Sequence, residues 1–371
     1  MIQIRACIIV SLLLSFIPIT RAQADDDPVI RGRRVSEWFK FMHDQSDPRL
    51  RQVALQLVDS EGGPKVAAVL SGLTRELHEN KDVALRVRIA ELLPKYHERA
   101  DEVVTALKSA LQTDADGKVR EAAAISLGKL GRVGFPALKD LGEALKDKDA
   151  AARGAAAQTI GIFSGLDPEL GKEFVPALAK CLNDDNAAVR QQAAFALGRV
   201  GAATEPATAA LIDALGKEKD ASVRKEILKT FASLGAAASM AAAAVLSSLQ
   251  DANVEVRQAA AIALARISPP ADLAMPKLLK AIHDPDKSVR CHAIHALGAL
   301  GKPAVSAIPE LIEILRKDDT ADVRLAAIEE LASFGPDAKA ALDSLTVASK
   351  DGRPAIREAA QEALKKIQQS P

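Results

Sequence analysis

Aromatic residues are scarce in this 371-residue chain, which has one Trp, one Tyr and nine Phe. Alanine supplies about a fifth of the chain instead, and much of its 48% apolar fraction. A core of alanine needs backbones in close approach, which helix-on-helix contact provides and a sheet sandwich does not. Cysteine is also rare, with three in all, too few for the disulfide framework of a small secreted domain. Charge of one sign is missing too, since 49 Lys+Arg balance 49 Asp+Glu. That balance argues against a nucleic-acid partner, whose binding surfaces need a basic excess. It argues equally against a strongly acidic or basic substrate surface. No nucleophile–base pair, Gly-rich phosphate loop or carboxylate dyad stands out.

Arg5 precedes the apolar run Cys7–Ile19, and Ala22-Gln23-Ala24 follows it. This is the order of a secretory signal peptide: basic start, apolar middle, small-residue cleavage site. Thirteen apolar residues fall short of the about 20 that a spanning helix needs. Residues 1–24 are therefore expected to be removed, leaving an exported chain, periplasmic or secreted, that begins near Asp25 with a net charge of −2. No later segment looks apolar enough to cross a bilayer. Residues 25–34 read as a flexible lead-in. Cys181 and Cys291 survive processing. They lie three repeats apart, roughly 30 Å at about 10 Å per helix layer, so free thiols are expected.

The remainder is periodic. The segments DGKVREAAAISLGKLG, NAAVRQQAAFALGRVG, DASVRKEILKTFASLG and DKSVRCHAIHALGALG begin at residues 116, 186, 220 and 286. A register arginine recurs as Arg51, Arg88, Arg120, Arg153, Arg190, Arg224, Arg257, Arg290, Arg324 and Arg357, at spacings of 32 to 37 residues. Four residues before it stands Asp or Asn: Asp47, Asp116, Asp149, Asn186, Asp220, Asn253 and Asp286. Such a residue accepts a hydrogen bond from the free amides that open a helix, worth about 1 kcal/mol. Apolar residues then follow the 3.6 period, as in Val189, Ala193, Ala196, Leu197 and Val200. Gly131, Gly201, Gly235, Gly301 and Gly335 stand where a helix ends in a left-handed residue. Gly128, Gly198, Gly298 and Ala265 would let a neighbouring helix come close.

Between copies lies a second amphipathic stretch, usually opened by proline, as in VPALAKCL and IPELIEIL. Proline is tolerated in a first turn because that amide lacks an intrahelical partner. The unit is an outer helix, a short turn, an inner helix and a tight turn. So short a pair cannot bury its apolar face alone, and stacking is obligatory. The fold expected is all-α, an α-α superhelix of about ten helix-turn-helix repeats forming one domain over 35–369. Trp38, Phe39, Phe41 and Met42 crowd the first unit behind Ser36, a candidate N-cap, and suit a capping repeat. Their other use would be a binding hot spot.

The pattern D-x-x-V-R-x-x-A-A-x-A-L-G resembles HEAT repeats, in the short form of phycobilisome-lyase-like proteins, from residue 35 to about 367. The SEWFKFM…SDPRLR opening is similar to that of exported bacterial HEAT-repeat proteins. The resemblance implies a right-handed solenoid and leaves function open, because the repeat serves many tasks. Di-iron deoxyhypusine hydroxylases are HEAT-repeat enzymes with four His-Glu pairs near inner-helix starts. Here only His78-Glu79 and His97-Glu98 occur, at helix ends. Bilin-lyase-like activity fits poorly with an exported chain.

Two constellations remain. Cys291 and His295 share a helix face beside His292, with His283 nearby, but structural zinc normally wants four ligands. The arginine row is either an anion-binding ridge, extended by Lys129, Arg199 and Arg266, or a structural ladder. In the latter each guanidinium bonds the capping Asp or a carbonyl of an adjacent repeat. The fixed Asp–Arg spacing favours the ladder. The reading is a non-enzymatic scaffold without cofactor or metal, binding a protein or peptide along a concave groove. Its contacts are expected five residues past the arginine, at Leu93, Ile125, Gln158, Phe195, Lys229, Ile262 and His295, where side-chain character varies most. A purely structural spacer is the remaining alternative.

Overall fold

The computed structural model describes residues 27–62 and 67–368. The proposed signal peptide lies outside the described residues. Within them the chain is all-α, an α-α superhelix of helix-turn-helix repeats. Ten helix pairs follow one another. The first four are α1 (Val35–Asp44) with α2 (Pro48–Gly62), α3 (Ala67–Glu79) with α4 (Val83–Leu92), α5 (Ala100–Thr113) with α6 (Gly117–Lys129), and α7 (Leu138–Ala144) with α8 (Ala150–Leu166). Next come α9 (Val175–Cys181) with α10 (Ala187–Val200), α11 (Thr208–Lys217) with α12 (Ala221–Leu234), and α13 (Ala242–Ser248) with α14 (Val254–Ile267). The last are α15 (Ala271–Ala281) with α16 (Lys287–Gly298), α17 (Ile308–Lys317) with α18 (Ala321–Ser333), and α19 (Leu342–Ala348) with α20 (Pro354–Gln368). The helices divide into two compact units, one ending at Thr159 and one beginning at Ile160.

Within a unit, second helices of successive repeats pack on one another, as α10, α12, α14 and α16 do. Alanine makes this contact close. Ala193, Ala194 and Ala196 are fully buried with Val189 and Leu197. A methyl group on Gly198 would stand 2.9 Å from Thr230 Oγ1. That hydroxyl donates to the Ala194 carbonyl of the preceding repeat at 2.7 Å. Thr159 donates likewise to Ala124 at 2.8 Å in the first unit. Both threonines occupy the sixth position past the register arginine, and an inter-repeat bond satisfies a hydroxyl that burial would otherwise leave costly. Truncating a side chain such as Leu197 to alanine would cost about 2–5 kcal/mol.

The turn into each first helix is tighter than the sequence implied. A 3-10 segment precedes most of them, for example Gly131–Ala137 and Gly201–Ala207. The five expected glycines all have positive φ, from 53° to 71°. At Gly201, Gly235 and Gly301 ψ is −135° to −139°. This is not the left-handed helical basin but the mirror of extended backbone, open to glycine and to essentially nothing else. The prolines fall in these turns or just after, as with Pro136, Pro176 and Pro309.

Two expectations are corrected here. The described part of the lead-in is folded: β1 (Val29–Ile30) pairs antiparallel with β2 (Arg33–Arg34). Arg31 and Gly32, both at positive φ, form the two-residue turn such a hairpin uses. Trp38 donates its indole N–H to the Ile30 carbonyl at 2.9 Å. Ser36 is not the N-cap; its hydroxyl donates to Asp27 at 2.6 Å from inside the first turn, and Arg34 takes the cap position. Trp38, Phe39 and Met42 are buried, so the cluster packs as the end of the stack. The second correction concerns Ala221–Ser248, whose 28 residues have a window of mean hydropathy 1.5, long and apolar enough to cross a membrane by composition. Here it is two helices broken at Gly235, with half that window buried among its neighbours.

Candidate functional site

The second helices carry the arginine row and all but one of the expected contact positions, Leu93 lying just past the end of α4, and the row organises them. In all ten repeats the guanidinium reaches back to the carbonyl six residues earlier. Examples are Arg51 to Gln45, Arg120 to Asp114, Arg190 to Asp184 and Arg357 to Asp351, at 2.6 to 3.0 Å. In most of them the other edge forks onto an acid of the next repeat. Arg120 holds Asp147 at 2.6 and 2.6 Å, Arg190 holds Glu218 at 2.6 and 2.8 Å, and Arg224 holds Asp251 at 2.7 and 2.9 Å. Arg257 holds Asp284 at 2.8 and 3.0 Å, and Arg290 stands 2.8 Å from Asp318. Asp147, Asp251 and Asp284 also accept the amide of the capping residue two positions on. Each rung thus ties one repeat's arginine to the next repeat's helix entry.

The electrostatics follow from this geometry. The fork from Arg190 outweighs burial and, with the Asp220 amide, holds the Glu218 carboxyl below the usual range. Burial by itself would raise Asp147, but the Arg120 fork and the Asp149 amide bring it below its ordinary value. The same bonds push Arg86, Arg120, Arg190, Arg224 and Arg257 up. Pairs so little exposed are strongly coupled to integrity: removing one partner leaves a desolvated charge behind.

One arginine was misplaced by the sequence reading. Arg88 points outward, 52% exposed, and meets Glu91 of its own helix at 3.1 Å. Arg86 is the rung, on Asp114 at 2.7 and 2.8 Å and on the Asn80 carbonyl at 2.7 Å. The register error carries over to Leu93, which is fully buried where α4 ends and presents nothing to a partner. Its place on the surface belongs to Glu91.

The partner acid is also not the cap, as the sequence had suggested, but the residue two before it. Asp114, Asp147, Glu218, Asp251, Asp284 and Asp318 fill this role. Two arginines depart from this: with neutral Asn80 at that position, Arg51 forks onto the cap Asp82 itself, and Arg324, among the described residues, bonds the Asp318 carbonyl alone. An acid recurs six residues before the arginine in eight of ten copies, and that was the overlooked signal. The seven expected caps lie where expected, each accepting an amide of its helix.

Because the ladder consumes one helix edge, the fifth position past each arginine lies on the free face. Ile125 and Gln158 are half-buried there in the first unit. In the second unit Phe195 and Ile262 are half-buried, while Lys229 and His295 are exposed. Between α12 and α14 this face sinks into a depression of about 400 Å³, lined by Lys225, Lys229, Ser233, Glu255, Gln258, Ile262 and Arg266, with Ala232 and Ala259 beneath. Further along, His295 Nδ1 lies 3.2 Å from Glu330, whose hydrogen bond and charge raise the imidazole. Burial, then the charge of His295, lowers His292, and burial raises the Cys291 thiol. Cys181 and Cys291 are both free thiols. Among the described residues no group of three or more His, Cys, Asp or Glu is placed to hold a metal ion.

The HEAT-repeat family model matches residues 104–170, 138–232, 175–249, 242–309 and 308–371. No curated protein matches the chain. Among the solved structures it resembles is one in which Kap95p binding induces the switch loops of RanGDP to adopt the GTP-bound conformation. The likeness has a TM-score of 0.59 and 14% identity, over 90% of this chain and 51% of that one. This chain spans about half the length of its neighbour, and the likeness is one of fold alone. An engineered protein gives a TM-score of 0.38 at 21% identity, over 62% of this chain and 96% of its own, too low to carry an argument.

Proposed function

The chain belongs to the HEAT-repeat family, and we infer from that membership and from its second helices that it is a non-enzymatic interaction scaffold for a protein or peptide. Solenoids of this family commonly hold protein partners and are typically non-catalytic. One observation carries the reading. A uniform frame of arginine–acid rungs presents, at one repeated position, side chains as different as Phe195, Lys229, Ile262 and His295. Variation on a regular frame is how a repeat protein acquires a particular partner. Recognition would come from complementarity across several repeats along a concave groove, with no chemistry at one point. The mature net charge of −2 supports a protein partner over nucleic acid.

Export is part of the same proposal and is supported by the order Arg5, Cys7–Ile19, Ala22-Gln23-Ala24. The D-x-x-V-R copies support the short, phycobilisome-lyase-like form of the repeat. Amino-terminal sequencing of protein recovered from the cell envelope should begin at Asp25; an intact Met1 would refute export. For the scaffold, wild type and a Phe195→Ala, His295→Ala variant are compared in affinity capture from the same envelope. The specific partner should be lost from the variant. Undiminished recovery would overturn the assignment of this face.

A further inference from the structure

The cations on the second helices are mostly engaged, with the ladder arginines locked onto acids. Arg266 differs: among the described residues its side chain makes no hydrogen bond or ion pair. It stands nine residues past Arg257, at the rim of the depression between α12 and α14. Lys225, Lys229 and Arg266 face a single lining acid, Glu255, so the lining carries a formal charge of +2. The two lysines already show what this surface grips. Lys225 Nζ holds the Glu255 carboxylate at 2.6 Å, and Lys229 Nζ holds Glu226 at 3.1 Å. Lys229 and Glu255 are 56% and 60% exposed. Their partners Lys225 and Glu226 are less exposed, at 29% and 13%, so it is the solvent-facing ends, weakly held, that yield: an incoming carboxylate can take the place of Glu255 or draw Lys229 to itself. Beside the charges lies a strip of apolar surface, Ile262 with Ala232 and Ala259.

We propose that this depression binds an acidic–aliphatic peptide segment of a protein partner, its carboxylate on Arg266 and Lys229 and its neighbouring aliphatic side chain on Ile262. The proposal rests on the reading that the second-helix face carries the partner. A free phosphate fits the site poorly. It has no use for the apolar strip, and Glu226 and Glu255 would repel a dianion more than a monovalent carboxylate. About 400 Å³ lies within the range of clefts that admit several side chains or a small ligand.

The test uses the mature chain, a fluorescein-labelled peptide of alternating glutamate and leucine, and its lysine–leucine counterpart, read by anisotropy. The acidic peptide should bind and the basic one should not. Raising salt from about 50 to 300 mM should weaken binding tenfold or more, because exposed charges are screened. An Arg266→Gln, Lys229→Gln variant should lose at least tenfold in affinity with its thermal melt unchanged, while Arg266→Lys keeps most of it. Absence of acidic-peptide binding, equal binding of the basic peptide, indifference to the double glutamine variant, or displacement by 10 mM inorganic phosphate each overturns the proposal. The two readings separate cleanly. If Phe195→Ala, His295→Ala abolishes partner capture while peptide binding ignores Arg266 and Lys229, the depression fails and the scaffold stands. If the peptide behaves as expected but every face variant retains the full partner, the depression stands as a peptide site and the scaffold reading fails.

Discussion

Arg86 and Arg88 sit two residues apart in Leu85-Arg86-Val87-Arg88-Ile89, and the structure gives them opposite fates. Replacing Arg86 by methionine keeps the apolar stem and deletes two bonds to Asp114, at 2.7 and 2.8 Å, and one to the Asn80 carbonyl. Asp114 is 7% exposed and retains only the Asp116 amide as a described partner. Breaking a buried pair by removing one member costs about 3–5 kcal/mol. Because Arg86 keeps some solvent contact, at 10% exposure, the lower end, about 3 kcal/mol, is expected. Arg88→Met removes an exposed i,i+3 pair and should cost between about 0 and 1 kcal/mol. Repeat arrays need not unfold in two states, so native-state hydrogen exchange at the amides of α4 and α6 is the suitable assay. A 3 kcal/mol loss accelerates exchange roughly a hundredfold, at about 1.4 kcal/mol per factor of ten. Arg88→Met should leave those rates within a few-fold of wild type. Equal effects, or a larger one for Arg88→Met, would refute the ladder.

Three further outcomes follow from the same geometry. Glu218 has a folded pKa below its ordinary value of 4.5, so the fold binds fewer protons there than the unfolded chain. Its contribution is complete above that value and drains as pH falls through the folded pKa; acid titration of Arg190→Gln should be flatter in this window than wild type. His295 has the opposite sign, being raised by Glu330. Its contribution is present below about 6.5 and lost as pH rises through the higher folded value, so His295→Gln should abolish a small decline in stability toward pH 8. Gly201→Ala should destabilise by about 1–3 kcal/mol through conformation alone, since a methyl group there touches nothing within 4 Å. Gly216→Ala, in the exposed last turn of α11 with equally open space, should instead be neutral or stabilise by up to about 0.5 kcal/mol; thermal melts of the pair separate the two causes.

The repeat was legible because stacking enforces a period. Caps, the buried aliphatics around Leu197 and the glycine stops recur at fixed offsets, and each has a local physical reason. The arginine register slipped at the second copy because two arginines there each follow an aliphatic residue. Local pattern could not choose between them, although spacings of 35 and 34 through Arg86 are more even than 37 and 32 through Arg88. The true partner acid was hidden by the nearer cap, since a carboxylate two residues before an N-cap has no helical role of its own. The hairpin of Val29–Ile30 with Arg33–Arg34 is too short for periodicity to register. The depression at Arg266 depends on two helices from successive repeats, and only packing brings Lys225 to Glu255, 30 residues on.

A photo-crosslinking scan in cells that express the protein tests the central claim most directly. With the crosslinking residue at positions 195, 229, 262 and 295 on the second helices, one partner should be trapped from several sites. The exposed first-helix positions 213 and 280 should trap none. Trapping from 213 and 280, with silence at the other four, would contradict the account.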